Sequence, residues 1–476
     1  MDDLERLGRL RSLVLARSVF VSEARKVARR AMTATQAGTV LGIAPGSVRA
    51  RMCRATRRIR ARAMVGAALL GAVVGASSGC APDGGTPLFA TRDSAGVTIV
   101  ESSGPSWTPE TAWSIDPVPL RDLGRTGTGP MYEFFRLEDA TFGADGGIVV
   151  ADRGSAQVRF YDAQGRFATA LGADGDGPGE FRRLMGVARY AGDSVVAFDP
   201  SMRRGTVISA SGALGRVVTF DIPDNTMTTP VVDDLHVPGW GDFILSVTVM
   251  PARMPSPGRI RVPQLVLETS ATGALQDTVA SMSGFEQYIG STGLLDPPHA
   301  RRSHAAVHRD ELYVCDGDHP EYTVVGRKGT PRLVVRLPGL SLAVPQHVLD
   351  SIRDALRGKD EFLKGMAEVL LPTEPFCSGL LVDELGYVWV ERFHHPFKTS
   401  DEPRSWMIFS PDGAWLGQVD FPPNFEVVEV EESRVLGMAM DSMEIQTVQV
   451  LGLRRRQRRM GVGLRPKRAG GGGRRT

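Results

Sequence analysis

The sequence is short of the motifs that assign an activity at sight. It has no metal-finger spacing of Cys and His, no phosphate-cradling glycine loop and no nucleophile elbow, so the common metallo-, nucleotide- and serine-hydrolase signatures are absent. Cysteine is scarce, at four residues in 476. Only one uncharged apolar stretch is long enough to consider as a membrane span, which excludes a polytopic membrane protein. Hydrophobic residues make up 42% and charged residues 23%, which excludes wholesale disorder. Net charge is also nearly absent, with 56 Lys and Arg against 54 Asp and Glu. That balance is a cancellation. Residues 1–63 and 453–476 together hold 25 basic and 4 acidic residues, leaving 31 basic and 50 acidic residues in 64–452. A body of net charge −19 between two basic ends makes a poor nucleic-acid binder as a whole, since the phosphate-facing charge would have to lie on the ends alone.

The uncharged stretch is AMVGAALLGAVVGASSG at 63–79. It follows a basic run (Arg54, Arg57, Arg58, Arg60, Arg62) and leads into Cys80. A basic segment, a short apolar segment and small residues form an export signal. With Ser78 and Gly79 before Cys80, the pattern resembles a bacterial lipoprotein signal, which implies acylation of Cys80; where that family usually has Leu, this chain has Ser77. Met52 would then start a leader at 52–80, followed by a linker at 81–94. A retained single span is the alternative, with Gly71 and Gly75 as a helix-packing pair. Residues 1–51 are a basic helical extension or lie outside the translated frame. Within 36–60, Val40, Leu41, Val48 and Met52 would pack one face around a turn at Pro45, with arginines outward. This resembles the helix-turn-helix of sigma factor region 4, the one feature that implies a nucleic-acid partner.

The body repeats. Gly129-Pro130 matches Gly177-Pro178 at 48 residues, Asp152 matches Asp199 at 47, and Gly165 matches Gly212 at 47. Each unit divides into four short β-branched or alternating runs separated by Asp/Gly turns: 137–142, 148–151, 157–161 and 166–171 in the first. Four-stranded antiparallel units at this period are the blades of a β-propeller. Further units fall at 231–281 (with a Pro-rich loop over 250–262), 303–337 and 377–420. Three last strands at 425–430, 434–440 and 445–451 lack a fourth, which Val97–Glu101 is expected to supply. The expected fold is all-β: a six-bladed propeller over 95–452, followed by a basic tail at 453–476. The loop Asp174-Gly-Asp-Gly-Pro-Gly-Glu-Phe181 and the strand–turn patterns around it resemble bacterial six-bladed propellers related to NHL repeats. A helical period over 345–356, continued over 359–371, predicts an insertion between the fourth and fifth blades.

The chemistry-bearing residues are few. Cys315 ends the second strand of its unit and Cys377 begins the first strand of the next, which puts them within reach of a disulfide in an oxidising compartment, or leaves two buried thiols. Asp316, Asp318, His319, His394 and His395 are the densest acid and histidine group and the candidate metal ligands, with a divalent cation as the cofactor they would hold. The Gly-Pro-Gly turn at 177–179 reads as a structural loop between blades. No residue is assigned a catalytic role. Three functions stay open: an exported, lipid-anchored propeller that binds a small molecule or protein partner at the cell envelope; a single-span regulator with an internal helix-turn-helix and an external propeller sensor; and a propeller hydrolase or lyase with an axial metal site.

Overall fold

The computed structural model describes residues 88–456, apart from 126, 225–227, 254, 291–292, 357–360 and 395–401. The leader with Cys80, the helix-turn-helix motif at 36–60, His395 and residues 457–476 lie outside the described residues.

Among the described residues, strands form six sheets in chain order. Sheet one is Leu137–Phe142, Ile148–Asp152, Gln157–Tyr161 and Phe167–Leu171; sheet two is Gly186–Arg189, Val195–Asp199, Arg204–Ile208 and Leu214–Thr219. Sheet three holds Thr228–His236, Phe243–Pro251, Gly258–Thr269, Leu275–Gly290 and Gly293–Leu295. Its long middle hairpin absorbs most of the expected Pro-rich loop. Sheet four begins with His304–His308, Glu311–Cys315, Glu321–Gly326 and Pro331–Arg336; sheet five is Gly379–Val382, Val388–Glu391, Arg404–Phe409 and Trp415–Phe421. Sheet six is built on Phe425–Val430, Arg434–Met440 and Gln446–Arg454. Each sheet meets the next through a shared apolar layer. Sheets one and two meet across Val158 and Val187, three and four across Val266 and Leu312, and five and six across Trp389 and Phe425. The inner strand of sheet six touches that of sheet one. The fold is a β-propeller.

The turn between the third and fourth strands explains why the repeat is visible in sequence. It carries the same two backbone bonds in sheets one to five, as in Asp162 N to Arg166 O and Gly165 N to Asp162 O. Gly165, Gly212, Gly273, Gly329 and Gly413 all occupy it with positive φ. Each leans on the outer strand of the preceding sheet. A Cβ on Gly273 would stand 2.1 Å from Thr219 O, and one on Gly165 would stand 3.0 Å from Leu123.

The last contact identifies the closing strand. Arg121–Leu123 pairs antiparallel with Val448–Val450 and completes sheet six. The expectation that Val97–Glu101 would do so is corrected: Val97–Ser102 runs parallel to Pro331–Arg336 on the outside of sheet four, with Phe89–Ser94 beyond it. The stronger β-branched pattern belongs to the outer strand. The actual closing strand has three residues and no alternation to reveal it. Between the two, the chain runs as a strap along the outer edges of sheets five and six, with Trp107 N on Leu416 O (2.7 Å) and Leu120 N on Val450 O (2.7 Å). The last strand runs to Arg454, so the first residues assigned to the tail belong to the fold.

The insertion forms helices α1 (Gln346–Leu356) and α2 (Glu361–Glu368). Leu349, Ile352 and Leu356, spaced at three and four residues, bury one face against Met366 and Leu370.

Candidate functional site

The inner strands of sheets one, three and six each carry a register shift, next to Asp139, Asp234 and Glu429. A bulge turns the following side chain out of the regular pleat, and here it turns carboxylates along the ring. Asp139 accepts from Val187 N of sheet two (2.9 Å). Glu429 accepts from Phe142 N (2.9 Å) and Thr141 Oγ1 (2.8 Å) of sheet one. These acids fasten one sheet to the next. Burial pushes the carboxyls of Asp139 and Glu429 above the usual range, against the hydrogen bonds that favour the charged form.

Beside this ring, between sheets three and four, lies a cavity of about 210 Å³. Its lining includes Asp233, Asp234, Thr248, Gln264, Arg302 and His304. Asp233 stays open to the cavity while accepting from Thr248 Oγ1 and from Gln264 Nε2 (2.8 Å). Crowding by the surrounding protein raises its carboxyl pKa, with the Thr248 and Gln264 hydrogen bonds and the Arg302 charge opposing. Asp234 accepts from Leu235 N (2.8 Å), and its other oxygen lies 3.6 Å from His236 Nε2. His304 is pushed down to about 4, first by burial and then by the Arg302 charge. Its imidazole is therefore neutral at pH 7, able to donate from one nitrogen and accept at the other. Arg302 is exposed, its guanidinium 5.3 Å from the Phe285 ring centre. The cavity thus combines two carboxylates, a neutral imidazole, a guanidinium, a hydroxyl and an amide. That set suits recognition of a small, polar, charged molecule.

Sequence reasoning missed this cavity. The available signal was Val231-Val-Asp-Asp-Leu-His236, a pair of acids in an inner strand at the level where the first unit carries Asp139.

The candidate metal group is differently placed. Asp316 repeats the work of Asp152 and Asp199. Each sits at the end of a second strand and accepts backbone amides from the segment leading into the sheet: Phe135 N for Asp152, Arg182 N and Arg183 N for Asp199, and Ser283 N for Asp316. Asp318 lies between two guanidinium groups, 2.8 Å from Arg261 Nη1 and 3.4 Å from Arg301 Nε. The carbonyl of His319 accepts from Glu321 N (2.7 Å). Among the described residues no three or more His, Cys, Asp or Glu side chains gather as a metal site. The 177–179 turn lies in a braced loop, with Arg204 donating to the carbonyls of Asp176 (2.9 Å) and Glu180. Arg159 braces the matching loop of the first unit through Glu133 O (2.8 Å). Cys315 and Cys377 are joined as a disulfide between sheets four and five, with a Cα–Cα distance of 6.8 Å and both residues buried.

No family model matches the chain, and no curated protein matches it. Solved structures do. An exported protein of Bacteroides fragilis, described as putative, is 9% identical over 75% of this chain and 100% of its own, with a TM-score of 0.44. A gluconolactonase of Xanthomonas campestris is 16% identical over 68% of this chain and 87% of its own, with a TM-score of 0.38. A streptogramin B lyase is 10% identical over 72% and 98%, with a TM-score of 0.34. No residue role is carried across at these values.

Proposed function

We infer that the chain is an exported six-bladed propeller of the kind related to NHL repeats, tethered to the cell envelope through a lipid on Cys80, and that it binds a small polar ligand in the cavity between sheets three and four. The cavity carries the binding reading: Asp233, Asp234, Thr248, Gln264 and His304 stand on strands of the propeller, so their positions are set before any ligand arrives and little ordering is needed on binding. Export is supported by the basic, apolar and small-residue leader ending at Cys80 and by the pairing of Cys315 with Cys377, which suits an oxidising compartment.

Mass spectrometry of the protein extracted from membranes tests both parts. Under denaturing conditions the expected species begins at Cys80 and carries the mass of acyl chains. A species retaining residues before Met52 would favour the single-span regulator instead. Under native conditions a small-molecule adduct is expected on the wild type and is lost in Gln264→Ala. An adduct that survives in that variant would place the ligand elsewhere.

A further inference from the structure

Resting on the assignment of the cavity as the binding site, we propose that His304 makes that site: it wedges open a latch that closes the equivalent joint between sheets one and two, and ligand and latch compete for one seam.

The joint between sheets one and two is the closed form. Asp139 stands just past the inner-strand bulge, with one oxygen on Ala140 N (2.8 Å) and the other on Val187 N of sheet two (2.9 Å). Asp234 is its counterpart in sheet three. It also follows a bulge, and its first oxygen takes Leu235 N at 2.8 Å. Asp139 faces Ala151 and Asp234 faces Ser246, and these two lie on the same rung counted from the turn glycines Gly165 and Gly273. The receiving strands match as well. Gly186 faces Phe198, just before Asp199, and His304 faces Cys315, just before Asp316. Val187 and Ala305 are therefore equivalent amides. Here the two joints part. Asp139 crosses to sheet two where Gly186 has no side chain, and a Cβ there would already touch Asp139 Oδ2 at 3.4 Å. In sheet four the same place holds an imidazole, which lines the cavity together with Asp234 and Ala305. Among the described residues, neither the His304 ring nor the Ala305 amide is bonded across the seam. Asp234 Oδ2 lies 3.6 Å from His236 Nε2 instead, and the Asp234 side chain is 62% exposed. Histidine in place of glycine thus accounts for an open seam at one joint and a latched one at the other.

Hydrogen exchange at single-amide resolution on the mature, disulfide-intact protein tests the latch. In the wild type, Ala305 N–H is expected to exchange at least about tenfold faster than Val187 N–H, the lower end of the range for a hydrogen bond to a charged group. His304→Gly is expected to slow Ala305 by roughly tenfold to a hundredfold. Adding Asp234→Ala is expected to restore the fast rate, which a merely tighter strand would not do. His304→Ala, with ordinary backbone freedom, is expected to show the same slowing and covers a glycine variant that fails to fold. An Ala305 amide as slow as Val187 in the wild type, or fast in every variant, would overturn the latch. The native small-molecule adduct is expected to be lost in His304→Gly. An adduct lost in Gln264→Ala but kept in His304→Gly, with Ala305 slowed, would overturn the competition and leave the binding site in place. A wild type without any adduct would remove the binding site, and the exchange rates would still decide the latch.

Discussion

Arg455 shows how much a single residue at the rim can carry. Its Nη2 stands 2.8 Å from Asp383 Oδ2 and also donates to Glu431 O (3.0 Å), while its guanidinium carbon lies 4.4 Å from the Trp113 ring centre and 5.3 Å from that of Tyr387. Asp383 is fully enclosed, and its Oδ2 also accepts from Trp389 Nε1 (2.9 Å). One arginine thus ties the end of the last strand to the strap and to sheet five. Arg455→Ala leaves a buried carboxylate without its cation, and a loss of about 3–5 kcal/mol in unfolding free energy is expected by chemical denaturation. Arg454→Ala is the control. Its partner Asp116 is 2.6 Å away, but the Arg454 side chain is 67% exposed, so a loss under about 1 kcal/mol is expected. Sequence alone does not separate these neighbours. Both sit in a basic run that reads as a solvated tail, and only the path of the strap brings Trp113 over one of them.

At the scale of the element, the turn between the third and fourth strands is the most legible part of the molecule. All five copies, in sheets one to five, place glycine at the left-handed position, and two of those glycines mark the repeat in sequence. In sheet six the turn between the second and third strands has the same two backbone bonds but holds Glu444 at φ 64. A left-handed conformation costs a non-glycine residue roughly 1–2 kcal/mol, while glycine gives back about 0.5–1 kcal/mol through the greater freedom of its unfolded chain. Glu444→Gly is therefore expected to stabilise the protein by about 0.5–1 kcal/mol, read as a rise in the denaturation midpoint at unchanged slope. A fall would mean that the side-chain interactions of Glu444 outweigh the backbone strain. The closing strand shows the opposite limit of legibility. Arg121–Leu123 is specified by its partner Val448–Val450 and by Leu123 packing under Gly165, contacts more than 300 and about 40 residues away in sequence. Local pattern therefore favoured Val97–Glu101, whose β-branched run serves an outer edge instead.

Across the whole molecule, acids turned inward set a pH dependence. Crowding by the surrounding protein raises Asp139, Asp233, Glu426 and Glu429 above the usual carboxylate range, although Asp233 and Glu426 keep exposed surface. A raised value in the folded state means that the folded ring holds protons the unfolded chain has released, so the stability contributed by these groups is complete below about pH 4 and falls as pH rises through their folded values. The histidines act in the opposite sense. His304 is lowered from 6.5 to about 4, so its contribution is complete above pH 6.5 and is lost as pH falls toward 4. The two trends overlap, and the melting curve of the wild type alone does not separate them. A neutral isostere does. Glu426 is raised by the surrounding protein and by Glu391 and Glu138, with Arg404 opposing. Glu426→Gln keeps the shape and removes the charge. Its stability relative to the wild type is expected to be near zero at pH 4, where Glu426 is protonated in both states, and to grow steadily as pH rises past 4.5, measured by denaturant titration at each pH. A relative stability that does not change with pH would mean that water and Arg404 already neutralise the site. The sequence announces a body of net charge −19 but not that part of this charge is turned toward the ring's interior. That placement follows from the inner-strand bulges, which no composition or periodicity reveals.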